Sequence, residues 1–86
     1  MMIISYSSHF FKQYKKLTKE KWKLAEKQEK IFRKNPFDPR LKTHKLSGEL
    51  QNYWAFSINY SDRIVFRFIN DDEVLFHRIG SHDIYK

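Results

Sequence analysis

Residues 52–79 read NYWAFSINYSDRIVFRFINDDEVLFHRI, and this stretch decides the fold. It is dominated by aromatic and β-branched residues, and two short polar breaks divide it into three apolar runs. This composition is typical of β-strands joined by tight turns, and it predicts a β-meander. The predicted strands are residues 52–60, 63–69 and 73–79. Alternation along the first of them predicts one face formed by Trp54, Phe56, Ile58 and Tyr60.

The chain upstream of this stretch predicts a short strand and two helices. Residues 2–6 have strand composition, and Ser7 or Ser8 is a natural N-cap for the first helix, which should end near Leu17. Residues 19–34 contain no glycine or proline, and the following Asn35-Pro36 disfavours further helix. We therefore expect an α+β fold with two N-terminal helices packed on a small twisted antiparallel β-sheet. Residues 36–48 are predicted to be a loop.

The length and composition indicate one domain, residues 1–86, with an aromatic core. Eight Phe, five Tyr and two Trp supply the large side chains that a small domain needs. The residues that we expect in the core are Trp22, Phe32, Phe56, Phe66 and Phe76. The absence of cysteine excludes disulfides, thiolate metal sites and a cysteine nucleophile. No pair of histidines has metal-ligand spacing on one element, so we expect no metal and no cofactor.

The positive charge is concentrated in the first half of the chain. The net charge is +7, and residues 1–46 hold 13 basic and 4 acidic side chains, whereas residues 47–86 hold 4 and 6. Such an asymmetric field attracts phosphate backbones. The apolar start of the chain is too short for a signal peptide or a membrane span, so we expect a cytoplasmic protein that does not bind membranes.

Several motifs together resemble the RelE/ParE superfamily of bacterial toxins. They are residues 53–58, the sequence DRIVF at residues 62–66, and a Gly-x-His-x-x-Tyr tail at residues 80–85. The resemblance covers essentially the whole chain and is closest to the RelE, YoeB and YafQ type of mRNA interferase. It implies a toxin of a type II toxin–antitoxin system, a ribosome-dependent mRNA endoribonuclease that a cognate antitoxin silences in a hetero-oligomer.

The resemblance also implies the catalytic residues. The family's arginine falls on Arg63, which would clamp phosphoryl oxygens and stabilise the charge that develops at the scissile phosphate. The stretch around His44 resembles the His-Pro-Leu-Thr-Gly motif of the YafQ group, although Lys45 replaces the proline. The tail implies catalytic roles for His82 and Tyr85.

Two positions depart from the YafQ pattern. A histidine and an aspartate of that group are replaced by Ser57 and Ser61. Either the remaining residues suffice, or Asp62 and Tyr85 substitute, or the toxin is weaker or works differently.

The chemistry of RNA cleavage gives an independent reason for these residue types. Without a metal ion, cleavage requires removal of a 2′-hydroxyl proton, stabilisation of the transition state and protonation of the leaving 5′-oxygen. An imidazole suits both proton transfers. Of the four histidines, His9 is expected to have a surface or packing role and His77 is expected to be structural, which leaves His44 and His82 as the candidates.

The partners implied are the antitoxin, the ribosome and mRNA. The basic residues expected to bind RNA are Lys12, Lys15, Lys16, Lys19, Lys23, Arg40, Lys42 and Lys45. Two alternatives remain open from the sequence. One is a ParE-like inhibitor of DNA gyrase, which shares the fold but has no nuclease chemistry, and the other is a plain nucleic-acid-binding module.

Overall fold

The computed structural model describes residues 2–81, and its elements follow the predicted order. The helices are α1 (Ser8–Lys15) and α2 (Lys19–Lys34). The strands are β1 (Ile3–Tyr6), β2 (His44–Lys45), β3 (Trp54–Ser57), β4 (Asp62–Phe68) and β5 (Glu73–Ser81). The segment predicted to be a loop contains β2 and a 3-10 turn at Pro39–Leu41, and a second 3-10 turn at Gly48–Leu50 leads into β3.

Side-chain caps fix where both helices begin. The Ser7 hydroxyl accepts a hydrogen bond from the Phe10 amide at 2.9 Å, and the Thr18 hydroxyl accepts one from the Lys21 amide at 3.2 Å. Each cap satisfies an amide that has no partner within the helix. The prediction for α2 is confirmed at both ends, whereas α1 ends at Lys15, before the predicted limit.

The five strands form one sheet in the order β1-β5-β4-β3-β2. The predicted meander of β3, β4 and β5 is confirmed, and β2 adds an antiparallel edge. At the other edge β1 runs parallel to β5, so the sheet is mixed rather than wholly antiparallel. This is possible because the long connection between β1 and β5, which includes both helices, lets the chain return in the same direction. The α+β class with two helices on a small sheet is confirmed.

The main core lies between the helices and one face of the sheet. Phe32 of α2 is fully buried, and its ring lies 4.8 Å from Phe56, 4.9 Å from Phe66 and 5.3 Å from Phe76 between centroids. These four residues confirm the predicted aromatic core. Trp22 does not belong to it, because its side chain lies on the outer side of α2 and is 41% exposed.

The first strand of the meander is shorter than predicted. β3 ends at Ser57, and the side chain of Asn59 then accepts hydrogen bonds from the amides of Ser61 and Asp62 at 2.9 and 2.7 Å. This turn takes Tyr60 out of the sheet, so the predicted place of Tyr60 on the apolar face is wrong. Its side chain is 96% exposed.

A β-bulge interrupts β5 and changes which side chains share a face. Phe76 and Ile79 both lie in the main core although they are three residues apart, and the pairing with β4 shifts between Val65 and Phe66. Strict alternation would place residues three apart on opposite faces. The bulge therefore puts His77 and Arg78 together on the face of the sheet opposite the helices, which we call the open face.

Candidate active site

One row of paired residues crosses the open face from β2 to β5. His44 pairs with Ala55, Ala55 with Val65, and Val65 with Arg78. Residues directly opposite one another in antiparallel strands project from the same face. His44 and Arg78 therefore stand at the two ends of a row whose centre is made of small apolar side chains. Three strand spacings, about 14–15 Å, separate the backbones of His44 and Arg78. The two side chains shorten this distance when they extend toward each other.

A second row brings Arg63 to the same face. Ser57 pairs with Arg63, and Arg63 pairs with Gly80. The two rows are two residues apart along β4, which is about 7 Å. Of the four catalytic residues inferred from the sequence, the structure thus places His44 and Arg63 on one face. His82 and Tyr85 lie outside the described residues.

The Arg63 guanidinium is held by the β3–β4 turn. Its Nη1 donates to the backbone carbonyls of Asn59 at 3.0 Å, Tyr60 at 3.1 Å and Asp62 at 3.0 Å. A guanidinium offers five N–H donors, so these contacts leave other donors for a phosphate. Arg63 is consequently held by its own turn before any ligand binds.

Asp62 faces the opposite way. Its side chain is only 6% exposed, and its carboxylate pairs with Lys21 of α2 at 3.3 Å and accepts a hydrogen bond from Asn59 at 2.9 Å. Even-numbered residues of β4 project toward the helices, as buried Ile64 and Phe66 do. Asp62 therefore anchors the turn to α2, and its carboxylate does not reach the open face as a substitute for a missing acid.

The hydrogen bond of His44 assigns its ring nitrogens. Nδ1 lies 3.2 Å from the backbone carbonyl of Lys42. Because a carbonyl can only accept, the proton of the neutral ring is on Nδ1, and Nε2 carries the lone pair. An exposed imidazole in this tautomer is suited to accept a proton from a hydroxyl group.

Arg78 is a candidate site residue that sequence reasoning missed. Its Nε is buried and has no hydrogen-bond partner within residues 2–81. A buried donor without a partner is costly and is rare in folded proteins. In the sequence, Arg78 is marked only by its place near the end of the predicted strand 73–79. Strict alternation along that strand would have placed it on the same face as Phe76, not on the open face.

Comparison with family models identifies the family to which this chain belongs. The family model for YafQ, a bacterial toxin of type II toxin–antitoxin systems, matches residues 2–85. The chain belongs to the YafQ toxin family. No curated protein shows a significant match to the chain.

Solved structures share the YafQ family fold over almost the full chain. YafQ from Escherichia coli is 20% identical, with a TM-score of 0.79 over 96% of each chain. The YoeB/ParE toxin from Agrobacterium tumefaciens is 16% identical, with a TM-score of 0.79 over 94% of this chain and 99% of that chain. A chain of the YoeB–YefM complex from Staphylococcus aureus is 23% identical, with a TM-score of 0.77 over 95% and 98%.

The two positions that depart from the YafQ pattern have structural roles here. Ser57 is buried, and its carbonyl accepts a hydrogen bond from the Gln28 side chain at 3.0 Å. The Ser61 hydroxyl lies within 3.4 Å of Asp62 Oδ2 and contributes to the anchored turn. Neither side chain supplies the imidazole or carboxylate of the family pattern.

The basic residues that we expect to bind RNA are all exposed. Arg40 differs from the others, because its Nε and Nη2 donate to Asp38 at 3.0 and 2.9 Å. These hydrogen bonds lower the pKa of the Asp38 carboxyl to about 2. Part of the charge of Arg40 is therefore already compensated. Within residues 2–81, no group of three or more potential ligands could hold a metal ion, and no helix is long and apolar enough to cross a membrane.

His77 is the second histidine of the open face. Its ring lies 5.0 Å from that of Tyr53. Burial lowers its pKa below the ordinary value, and the positive charges of Arg78, His9 and Arg67 lower it further. His77 is thus held in its neutral form, as expected for a histidine that packs against an aromatic ring rather than binding phosphate.

This pKa shift predicts a pH dependence of stability. The unfolded chain, in which a histidine titrates near pH 6.5, takes up a proton at higher pH than folded His77 does. The free energy of unfolding should therefore fall as the pH drops below about 6.5 and level off below the folded pKa. Urea unfolding of wild type and His77→Gln at pH 8.0 and 5.5 measures this, and the variant should lose less stability between the two. At pH 8.0 His77 is neutral in the folded and the unfolded chain, so the difference in stability between wild type and His77→Gln at this pH reflects packing alone. If wild type and His77→Gln lost the same stability between pH 8.0 and 5.5, the lowered pKa of folded His77 would be contradicted.

Proposed function

We propose that this toxin is a ribosome-dependent mRNA endoribonuclease. The observation that carries the proposal is the placement of His44, Arg63 and Arg78 on one face of the sheet in a protein of the YafQ toxin family. This face combines a histidine with two arginines, of which Arg63 is held by three backbone carbonyls. These groups can meet two needs of phosphodiester cleavage, removal of a proton and stabilisation of negative charge, and no metal ion enters the proposed reaction.

In the proposed reaction a general base removes the proton of a 2′-hydroxyl. The 2′-oxygen attacks the adjacent phosphorus, the bond between phosphorus and the 5′-oxygen breaks, and a general acid protonates that oxygen. The products are a 2′,3′-cyclic phosphate and a 5′-hydroxyl. His44 is the proposed base and His82 the proposed acid. Arg63 and Arg78 stabilise the negative charge of the transition state, and Tyr85 contacts the substrate near the scissile bond.

The charge distribution supports RNA as the substrate. The basic residues on α1, α2 and the loop before β2 give an exposed surface that attracts phosphate backbones. We propose that this surface binds ribosomal RNA and mRNA outside the cleavage site. The residues are those predicted from the sequence: Lys12, Lys15, Lys16, Lys19, Lys23, Arg40, Lys42 and Lys45. Because translating ribosomes are cytoplasmic, we propose that the toxin acts in the cytoplasm.

The proposed protein partner is a cognate antitoxin. A related fold occurs in the YoeB–YefM toxin–antitoxin complex from Staphylococcus aureus, which is a heterotetramer. We propose that an acidic antitoxin silences this toxin in a hetero-oligomer by covering its positive surface. Inhibition of DNA gyrase, the activity of ParE-like toxins, is less favoured because it requires no histidine and arginine on a common face.

Primer-extension mapping in a translating extract tests the function. The wild-type toxin should cut an mRNA within its coding sequence, and the same mRNA with its start codon removed should stay intact. Added EDTA at a concentration that leaves the ribosomes active should not prevent cutting. Intact transcripts with continuing translation would overturn the proposal, and a gyrase supercoiling assay would then test the alternative. Equal cutting of both transcripts would overturn the dependence on ribosomes.

A further inference from the structure

A groove lies beside Arg63, between the β3–β4 turn, α2 and the loop before β2. Its lining includes Gln28, Arg40, Lys42, Ser57, Tyr60 and Arg63. No acidic side chain lines it within the part of the chain that the structure describes. The groove is therefore a basic channel that adjoins the proposed cleavage site.

Tyr60 stands at the rim of this groove without packing against the protein. Its side chain is 96% exposed, the highest exposure among the large apolar and aromatic residues of the described chain. An aromatic ring left in water contributes nothing to the core, and exposing it has a hydrophobic cost. This exposure needs an explanation other than stability.

The backbone that carries Tyr60 is fixed, in contrast to its side chain. Arg63 Nη1 donates to the Tyr60 carbonyl at 3.1 Å, and the Asn59 side chain closes the turn by accepting from two amides. The buried Asp62 ties the turn to Lys21 of α2 at 3.3 Å. The turn that carries the ring is preorganised, so contact with a ligand orders the Tyr60 side chain without also ordering its backbone.

The same turn fixes Arg63 relative to Tyr60. Arg63 is three residues further along the chain and is hydrogen-bonded to the Tyr60 backbone, so the cation and the backbone that carries the aromatic ring are held together at one end of the groove. Single-stranded nucleic acids are bound by this pair of features, since bases stack on aromatic rings while cations follow the phosphates. Lys42 supplies a further charge along the groove.

We propose that this groove is a nucleotide subsite in which Tyr60 stacks on a base of the RNA strand next to the phosphate held by Arg63. The inference rests on the proposed function for the identity of the strand. An acidic peptide would find the same charges, but it would need apolar surface to bury its side chains, and among residues 2–81 only Ile58 adds an aliphatic side chain to the lining. A base needs only the exposed face of the ring.

Fluorescence anisotropy tests the subsite without requiring cleavage. The probe is a labelled RNA hexamer with 2′-O-methyl groups, which lacks the nucleophile. Tyr60→Ala should weaken its binding by about 5- to 150-fold, the factor that corresponds to about 1–3 kcal/mol per stacked base. Tyr60→Phe and Tyr60→Trp should bind like wild type. Phe11→Ala is the matched control, because Phe11 is an exposed ring on α1 that does not line the groove.

Abasic probes identify the stacked base. In a series of hexamers with one base removed at each position in turn, Tyr60→Ala should have no further effect at the position that stacks on the ring. No binding of the hexamer by wild type, or equal binding by wild type and Tyr60→Ala, would overturn the subsite. An unchanged effect of Tyr60→Ala with every abasic probe would overturn stacking as well.

The cleavage assay separates this inference from the proposed function. If wild type and Tyr60→Ala cut ribosome-bound mRNA with the same kcat/KM and the same base preference, the nuclease stands and the subsite is wrong. If neither protein cuts but Tyr60→Ala loses affinity for the hexamer, the subsite stands and the nuclease is wrong. Tyr60→Ala should keep the wild-type melting temperature, because the ring is outside the core.

Discussion

Replacing Arg63 with alanine should lower the single-turnover rate of cleavage of ribosome-bound mRNA by about 10²- to 10³-fold. The guanidinium is held in place by three backbone carbonyls of its own turn. It can therefore stabilise the charge that develops on the phosphoryl oxygens without being reorganised during the reaction. Single-turnover cleavage of programmed ribosomes at saturating toxin measures this step separately from binding.

Two variants make the Arg63 result specific. Arg63→Lys keeps a positive charge but loses the planar fork, so it should recover only part of the rate. Arg67→Ala is the matched control, because Arg67 lies on the same strand and the same face but is outside the two rows of the site. Equal losses in Arg63→Ala and Arg67→Ala would mean that these arginines supply only general attraction for RNA. Melting temperatures show whether loss of the turn contacts has unfolded any variant.

Local sequence signals predicted the helices and the meander because the decisive interactions are local. α2 begins at the Thr18 cap and ends at Asn35, where the following proline disfavours helix. The strands of the meander are consecutive in sequence and joined by short turns, so their pairing needed no long-range information. The parallel pairing of β1 with β5 depends on residues about 70 positions apart, which no local pattern encodes.

The composition of the candidate site was harder to predict, because it depends on where alternation breaks. The bulge at His77 places Arg78 on the open face, whereas a strict period of two would put neighbouring residues on opposite faces. β3 ends at Ser57, so Tyr60 leaves the sheet, although alternation predicted it on the same face as Trp54 and Phe56. His44 and Arg63 were identified by motif resemblance, and the sheet register then brought them onto a common face.

Replacing His44 with alanine should lower the cleavage rate by about 10²- to 10⁴-fold, the usual contribution of a positioned acid or base. The Nδ1–H of His44 donates to the Lys42 carbonyl, so the neutral ring presents the lone pair of Nε2 for proton transfer. Because His44 is exposed on a two-residue edge strand, its removal should leave the melting temperature nearly unchanged. Single-turnover rates measured across a pH series test the role and not only the size of the effect.

A general base and a binding residue differ in how the rate depends on pH. If His44 is the base, the rate of the wild-type toxin should have a limb that rises with pH, and His44→Ala should lose this limb together with the rate. His77→Gln is the matched control, since it removes a histidine from the same face that packs on Tyr53, and it should keep both the limb and the rate within a few-fold. A low rate in His44→Ala that still rises with pH as in wild type would assign proton removal to another group, with His44 reduced to contacting the RNA.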